Sequence, residues 1–414
     1  MKTVIMAGGK GTRISSIASD IPKPMIKIDG KPVLEHEIEC LHKQDFNDII
    51  ITISHLGYII EDYFGDGSRF GVNIEYFNEE KPLGNAGALF ELKDRLTEDF
   101  LLLNADSVFD IDFNRFVSYH KNKGGLATLF VHPNSHPYDS GLIVVNNENQ
   151  VISWLTKEDE RPKWYKNSVN AGLHILSPKL LENRPEGEKV DLDRQLLKPL
   201  SCTGNMYVYS SPEYVKDMGT PERYEQVCKD FEKGLVKERN LANKQKAVFL
   251  DRDGTINRYV GFLRNIDDFE LLEDSAKAIR RINESGYLCI VVTNQPVIAR
   301  GDVTFDELDE IHNKMETLLG LEGAYLDGIY FCPHHPDSGF EGEIKELKID
   351  CDCRKPKPGM LLKAAKDFNI DLGSSYMIGD GDNDVKAGEA AGCRTIKIER
   401  DGNLLDAVES ILKG

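Results

Sequence analysis

No stretch of this chain approaches the roughly 20 consecutive apolar residues that a membrane-spanning helix needs. The opening run, residues 1–6, is short and reaches glycine at once, so it reads as a buried first strand and not as a signal peptide. Basic blocks are missing too. The formal net charge is −18 over 414 residues, which repels nucleic acid and anionic membrane surfaces. Internal repeats and low-complexity tracts are absent. These absences point to a cytoplasmic protein whose partners are small molecules, with local Lys and Arg residues available to receive phosphate groups. Oligomeric state is left open, a homo-oligomer included.

What is present suffices for two domains of ordinary size: apolar residues make up 40% and charged residues 29%. Residues 4–6, 49–53 and 100–103 read as buried strands, and Val33–His42 has helical spacing. Such alternation predicts an α/β layer with a mainly parallel sheet. The chain turns polar over residues 229–246, then a second α/β series begins at residues 247–250, with further strands at 289–292 and 376–378. The expected organisation is a domain over 1–228, a charged linker over 229–245 and a domain over 246–414. Of eight cysteines, Cys40, Cys202, Cys228, Cys289 and Cys393 read as small buried apolar side chains. Cys332, Cys351 and Cys353 cluster, which in a reducing compartment argues for metal over disulfides.

Residues 7–13 read Ala7-Gly8-Gly9-Lys10-Gly11-Thr12-Arg13 and follow a strand directly. Glycines there let backbone N–H groups approach phosphate oxygens, and Lys10, Arg13 and Lys23 add cationic contacts. The spacing is neither the Walker P-loop nor the dinucleotide fingerprint. Gly-Gly-x-Gly-Thr-Arg followed by Pro22-Lys23-Pro24-Met25 resembles the sugar-1-phosphate nucleotidyltransferases. Further segments match in order: the nucleobase loop at Leu83-Gly84-Asn85, the metal-binding Asp106 after Asn104-Ala105, the sugar-contacting turn Asn170-Ala171-Gly172, and Asp217-Met218-Gly219-Thr220-Pro221 with the second metal ligand. The resemblance implies a glycosyltransferase-A-like, Rossmann-type mixed sheet. It also implies in-line attack of a sugar 1-phosphate oxygen on the α-phosphorus of a nucleoside triphosphate, expelling pyrophosphate. Asp106 and Asp217 would hold Mg²⁺, Lys23 would lie against the reacting phosphates, and Arg13 would stabilise pyrophosphate. One departure is Thr156-Lys157-Glu158, where many relatives have Glu-Lys-Pro; Lys157 keeps the cation and the preceding acid is lost.

Asp251-Arg252-Asp253-Gly254-Thr255 follows an apolar strand. Residues i and i+2 beyond a strand point the same way, so both carboxylates can face one phosphate. Asp251 is the natural nucleophile and Asp253 the acid and base. Two carboxylates facing a phosphate require Mg²⁺, and Asp380, ending another strand, can complete its site with Asp251 and Asp253. Thr293-Asn294-Gln295 offers a hydroxyl and amides, and Lys355 offers positive charge. In this order the set resembles the haloacid dehalogenase superfamily of phosphohydrolases. Only 39 residues lie between Asp253 and Thr293, leaving no room for a large cap domain. Cys332-Pro333-His334 and Cys351-Asp352-Cys353, 16 residues apart, suit tetrahedral Zn²⁺ as a structural staple; His334 fits the pattern better than His335.

The zinc loop running into Arg354-Lys355-Pro356 resembles the heptose 1,7-bisphosphate and histidinol-phosphate phosphatases. The segment from Thr293 through Arg300-Gly301 strengthens the heptose match. The resemblance places Arg354 and Arg300 near the sugar phosphate. Pro296 stands where relatives often have Ser, and Gly381 follows Asp380 where a Lys often contacts substrate. A phosphatase yielding a sugar 1-phosphate would feed a nucleotidyltransferase, and heptose supplies that link. Relatives resembling the first half use GTP. The expectation is a bifunctional enzyme of GDP-heptose synthesis. Histidinol phosphate fits the second half alone, and mannose or glucose 1-phosphate with UTP, dTTP or CTP fits the first alone. A non-catalytic regulatory half would be expected to have lost some of these residues.

Overall fold

The computed structural model describes residues 1–9, 20–156, 158–184, 189–339 and 341–413. The chain divides into two compact units. The first comprises Met1–His132, Ile143–Leu155 and Asn170–Asn240; the second comprises Pro133–Leu142, Thr156–Val169 and Leu241–Gly414.

Residues 1–240 contain, in chain order, β1 (Thr3–Met6), β2 (Lys27–Ile28), β3 (Lys31–Pro32), β4 (Asp48–Ile53), β5 (Asn73–Asn78), β6 (Phe100–Asn104), β7 (Ser107–Asp110), β8 (Ala127–His132), β9 (Leu142–Val145), β10 (Val151–Leu155), β11 (Val169–Leu176), β12 (Met206–Ser210) and β13 (Tyr214–Asp217). Helices α1 (Val33–His42), α2 (Gly57–Phe64), α3 (Gly87–Glu91), α4 (Phe113–Lys123), α5 (Pro221–Glu232) and α6 (Leu235–Glu238) accompany them. The main sheet is mixed, ordered β10-β9-β11-β6-β1-β4-β5, with β8 joining β11 to β12. β1 pairs in parallel with β4 and β6, and β11 runs antiparallel to β6. Ile5, Leu101 and Leu103 enter one core, while Val4, Phe100 and Leu102 enter another. Burial on both faces is why these strands read as unbroken apolar runs.

The polar stretch 229–245 is not without core residues. α5 runs into it, α6 follows, and Val236 packs with Val33, Val108 and Met218. Asp230 is buried as well, accepting from the Tyr214 hydroxyl at 2.8 Å and the Lys216 ammonium at 2.6 Å. Counting charges overlooks this, because a charged side chain buries when it is paired. Cys202 also departs from expectation: it is exposed, in a left-handed turn (φ 66°), and Cys228 is half-buried.

The second unit continues with β14 (Lys246–Leu250), β15 (Tyr287–Asn294), β16 (Gly328–Cys332), β17 (Tyr376–Gly379) and β18 (Arg394–Lys397). Between and after them lie α7 (Ser275–Asn283), α8 (Phe305–Leu321), α9 (Gly359–Asp367), α10 (Asp382–Ala391) and α11 (Leu404–Lys413). The sheet order is β16-β15-β14-β17-β18, with every pair parallel. Strand order reverses beside β14, and in such sheets ligands bind beyond the carboxyl ends at the reversal. Between Asp253 and Thr293 lie α7 and one 3-10 turn, Ile266–Asp268, and no cap domain. Residues 156–169 belong to this unit through α8: Tyr165 N–H donates to Thr317 Oγ1 (2.9 Å) and Asn167 N–H to Glu316 Oε2 (3.1 Å).

A buried neutral histidine sits in each unit. Burial lowers the His174 pKa to about 4, and burial together with the neighbouring Arg252 charge lowers that of His312 to about 3. Both depressed values mean that the unfolded chain binds the extra proton first. Stability is then full above about pH 6.5 and falls as pH drops toward the folded values, by up to about 1.4 kcal/mol per pH unit for each histidine. The expected result is a melting temperature that falls from pH 7 to pH 5, with a shallower fall in His312→Gln. An unchanged slope in that variant would exclude His312 as a source.

Candidate active sites

In the first unit the site is built on strand ends. Lys23 opens a single 3-10 turn, Lys23–Met25, which Pro22 enters in an extended conformation. Pro24 and Met25 are buried, and the Lys23 ammonium reaches Asp106 Oδ2 at 2.5 Å. Asp106 lies between β6 and β7. β7 pairs antiparallel with β13 so that Asp217 stands opposite Ser107, which brings the two aspartates predicted as metal ligands to neighbouring positions. Burial would raise the Asp217 carboxyl. Bonds from Arg223 Nη1 (2.9 and 2.7 Å) and the Gly219 N–H (2.8 Å), with the Lys23 charge, hold it below its ordinary value instead.

Of the glycine turn, Ala7, Gly8 and Gly9 lie within the described residues. Ala7 N–H donates to Thr52 O (2.9 Å), the Gly8 carbonyl accepts from Ser54 Oγ (2.7 Å), and among the described residues nothing lies within 4 Å of where a Gly9 Cβ would be. Gly11, Thr12, Arg13 and Lys157 lie outside the described residues. Residues 83–85, predicted to meet the nucleobase, are tied down at each position. Leu83 N–H donates to Glu79 Oε2 (3.1 Å), and Asn85 Oδ1 accepts from Leu192 N–H (2.7 Å). Gly84 has φ +84°, and a Cβ there would lie 2.4 Å from the Val190 carbonyl. Glu79 was not singled out by the sequence. It bridges two predicted segments, since its Oε1 stands 3.0 Å from where a Gly8 Cβ would be. Asn170 Oδ1 accepts from His174 Nε2 (3.1 Å) and from Gly172 N–H (3.2 Å), so a buried histidine orients the Asn170 amide.

In the second unit the predicted residues converge at the carboxyl ends of β14, β15 and β17. Asp251, Asp380 and Asp384 each place a carboxylate oxygen within 4.8 Å of the others. Such a group of oxygen ligands fits one hard divalent cation. Asp384 was not among the predicted ligands. It lies in the first turn of α10, four residues after Asp380, and its Oδ2 accepts the Gly381 N–H (2.9 Å). The Asp253 side chain, predicted as a ligand, is instead held by Arg252, Asn257 and Gln295, with oxygen distances of 2.8–3.1 Å. Burial raises the Asp253 carboxyl, but the Arg252 guanidinium and the amides bring it below its ordinary value.

Lys355 is fully buried. Its ammonium meets Asp251 Oδ1 (2.7 Å), Asp384 Oδ1 (2.5 Å) and the Val292 carbonyl (2.8 Å). Burial raises the Asp251 pKa to about 6, against the pull of Lys355 and with the push of Asp384. Asn294 grips the backbone of Lys355 from both sides, at 3.0 Å each way. Gln295 Nε2 bridges Thr293 Oγ1 (2.9 Å) and Asp253. These two amides therefore position the charged groups. Arg354 donates to the His334 carbonyl (3.2 Å), and Arg300 stacks 4.1 Å above the Phe262 ring.

The cysteine cluster closes as a tetrahedron. Cys332, Cys351 and Cys353 have sulfur separations of 3.2, 3.3 and 3.5 Å, and His334 Nδ1 lies 3.3 Å from Cys353 Sγ and 3.7 Å from Cys332 Sγ. A tetrahedral zinc with bonds of about 2.3 Å to sulfur has S···S edges of about 3.8 Å, so the four donors fit. His335 points elsewhere: its Nδ1 accepts the Asp337 N–H (3.1 Å).

Known proteins match the two parts of the chain separately. The nucleotidyl transferase family matches residues 2–234, and the haloacid dehalogenase-like hydrolase family matches residues 200–392. The second part is 44% identical over 164 residues to D-glycero-beta-D-manno-heptose-1,7-bisphosphate 7-phosphatase of Haemophilus ducreyi, covering 39% of this chain and 87% of that protein. The Escherichia coli K12 protein of the same name is 43% identical over 162 residues, covering 39% and 83%. Among solved structures, HddC from Yersinia pseudotuberculosis is 28% identical and covers 56% of this chain and 99% of its own, with a TM-score of 0.49. The chain thus belongs to the nucleotidyl transferase family through residues 2–234 and to the haloacid dehalogenase-like hydrolases through its C-terminal part, an enzyme of both kinds in one polypeptide.

Proposed function

We infer that the C-terminal part removes the 7-phosphate of D-glycero-D-manno-heptose 1,7-bisphosphate, and that the N-terminal part joins the resulting heptose 1-phosphate to GMP from GTP with release of pyrophosphate. The observation that carries this reading is the pairing itself. The phosphatase relatives are named for a reaction whose product keeps its 1-phosphate, the nucleophile that a sugar-phosphate nucleotidyltransferase consumes. The choice of guanine rests on the sequence resemblance described above.

In the hydrolytic half, Asp251 attacks the 7-phosphorus and forms an aspartyl-phosphate as the sugar oxygen leaves with the proton of Asp253. Water then attacks that phosphorus, Asp253 takes its proton, and inorganic phosphate departs. Arg252 holds Asp253 ionised, which suits the water step. Entry of a phosphate dianion beside Asp253 raises its proton affinity, which suits the leaving-group step. Mg²⁺ on Asp251, Asp380 and Asp384 would neutralise the anionic charge that gathers there. In the transfer half, Lys23, paired with Asp106, orients the reacting phosphates, and Asp106 and Asp217 would hold the second Mg²⁺.

The test is a nucleotide panel. Supplied heptose 1-phosphate should release pyrophosphate with GTP and much less with UTP, CTP or dTTP. The bisphosphate should release phosphate with no nucleotide present. Phosphate release without pyrophosphate under every nucleotide would overturn the two-step reading. The staple has its own test. About one zinc per chain should co-purify, and a strong chelator should lower the melting temperature and phosphatase activity together. Chelation with no change in melting would leave the four donors without a structural metal.

A further inference from the structure

We propose that Arg400, in the turn after β18, is a cation that receives the second anionic group of the phosphatase's substrate. The assignment rests on the hydrolytic reading above and names a specificity residue for it. A sugar bisphosphate brings two phosphates. The one to be cleaved enters among Asp251, Asp380 and Asp384, and the other needs a cation at the mouth of that site. The cations deeper in the site are committed. Lys355 is spent on Asp251, Asp384 and Val292, and Arg252 is fully buried against Asp253 and His312. Arg354, donating to the His334 carbonyl, and Arg300, stacked on Phe262, are the cations that the resemblance sets near the sugar phosphate, and Arg400 would act beside them from the Asp380 side. Position 381, directly after Asp380, is glycine and offers no side chain.

Arg400 fills that gap from another element. Its Nε donates to Asp380 Oδ2 at 2.7 Å; Asp380 is 6% exposed and Arg400 is 55% exposed, so the guanidinium rises from a buried carboxylate to the surface of the site. The guanidinium carbon lies 3.9 Å above the centre of the Tyr259 ring. Stacking fixes its plane and leaves its edge free, and among the described residues the two terminal nitrogens make no hydrogen bond. A planar edge with two open donors is the geometry that grips a phosphate through two parallel bonds.

The turn that carries Arg400 is anchored to the catalytic loop. Asp401 N–H donates to the Gly254 carbonyl (2.9 Å), and Asp401 Oδ1 accepts the Tyr259 N–H (2.7 Å). Gly254 makes the approach possible: a Cβ there would lie 2.8 Å from Asp380 Oδ2 and 3.3 Å from Arg400 Cγ. The loop of Asp251 and Asp253, the aromatic Tyr259 and the turn of Arg400 are thus interlocked, and the only part of Arg400 left unengaged is the part that faces solvent.

The experiment compares a substrate with two phosphates to one with a single phosphate. Heptose 1,7-bisphosphate and para-nitrophenyl phosphate are hydrolysed by the full-length wild type, Arg400→Ala and Arg400→Lys, and the ratio of their kcat/KM values is read. Arg400→Ala should lower that ratio about tenfold or more, mainly through KM for the bisphosphate, and Arg400→Lys should recover part of it. Melting curves check that each variant folds, and a variant that does not is replaced by Tyr259→Leu, for which a smaller drop in the same ratio is expected. Equal losses on both substrates would reduce Arg400 to a support of Asp380 and overturn the assignment, as would an unchanged ratio. A wild type with no preference for the bisphosphate would instead remove the hydrolytic reading itself.

Discussion

Asp251→Asn should abolish phosphate release, by about 10⁴-fold or more, and leave nucleotide transfer to supplied sugar 1-phosphate intact. The size of the expected loss follows from the site. Among the described residues, Asp251 is the carboxylate held by the buried Lys355 ammonium at the end of β14, within reach of Asp380 and Asp384. An amide keeps the shape and removes the nucleophile. The amide takes one of two charges away from the buried Lys355 ammonium, but Asp384 still pairs with it at 2.5 Å, so the variant should fold with a lowered melting temperature. The reciprocal change, Asp106→Ala, should stop nucleotide transfer and spare phosphate release, because Asp106 and Lys23 are paired in the other unit. Both assays on both variants check the pair. Loss of transfer in Asp251→Asn, with the variant folded at the assay temperature, would contradict independent sites.

Much of this arrangement was legible because apolar runs mark doubly covered strands, and both nucleophile and ligand aspartates follow such runs directly. β6 and β14 end where the sequence turns to Asn-Ala-Asp and Asp-Arg-Asp. Residues whose role depends on a helical offset were harder to read. Asp384 lies within the motif around Asp380, but only the first turn of α10 brings its carboxylate back to Asp251. Asp253 shows the opposite limit. Spacing places it beside Asp251, and spacing is silent on Arg252, whose fully buried guanidinium turns the Asp253 carboxylate away from the ligand group. Grouping of residues 156–169 with the second unit depends on bonds to Thr317 and Glu316, more than a hundred residues away in sequence, which no local pattern records.

Lys355 carries the second large expectation, on stability as well as activity. Its ammonium lies between the Asp251 and Asp384 carboxylates, and burial alone would drive its proton off. The charges of Asp251 and Asp384 reverse that and raise its pKa above the ordinary lysine value. Lys355→Met removes the cation and leaves two buried acids facing each other. Breaking a buried pair in this way costs about 3–5 kcal/mol, because the partners lose their compensation and stay desolvated. The sign with pH follows. Asp251, whose folded pKa is already raised, should rise further without Lys355, so the variant's deficit should be largest at pH 8 and shrink toward pH 5, where the acids take up protons. A divalent cation on the same carboxylates supplies the missing charge, so Mg²⁺ should raise the melting temperature of Lys355→Met more than that of the wild type. Denaturant titrations at two pH values, with and without Mg²⁺, check all three statements. A variant as stable as wild type at pH 8 without Mg²⁺ would mean that the two acids are already neutral, and the nucleophile would then need a different source of activation.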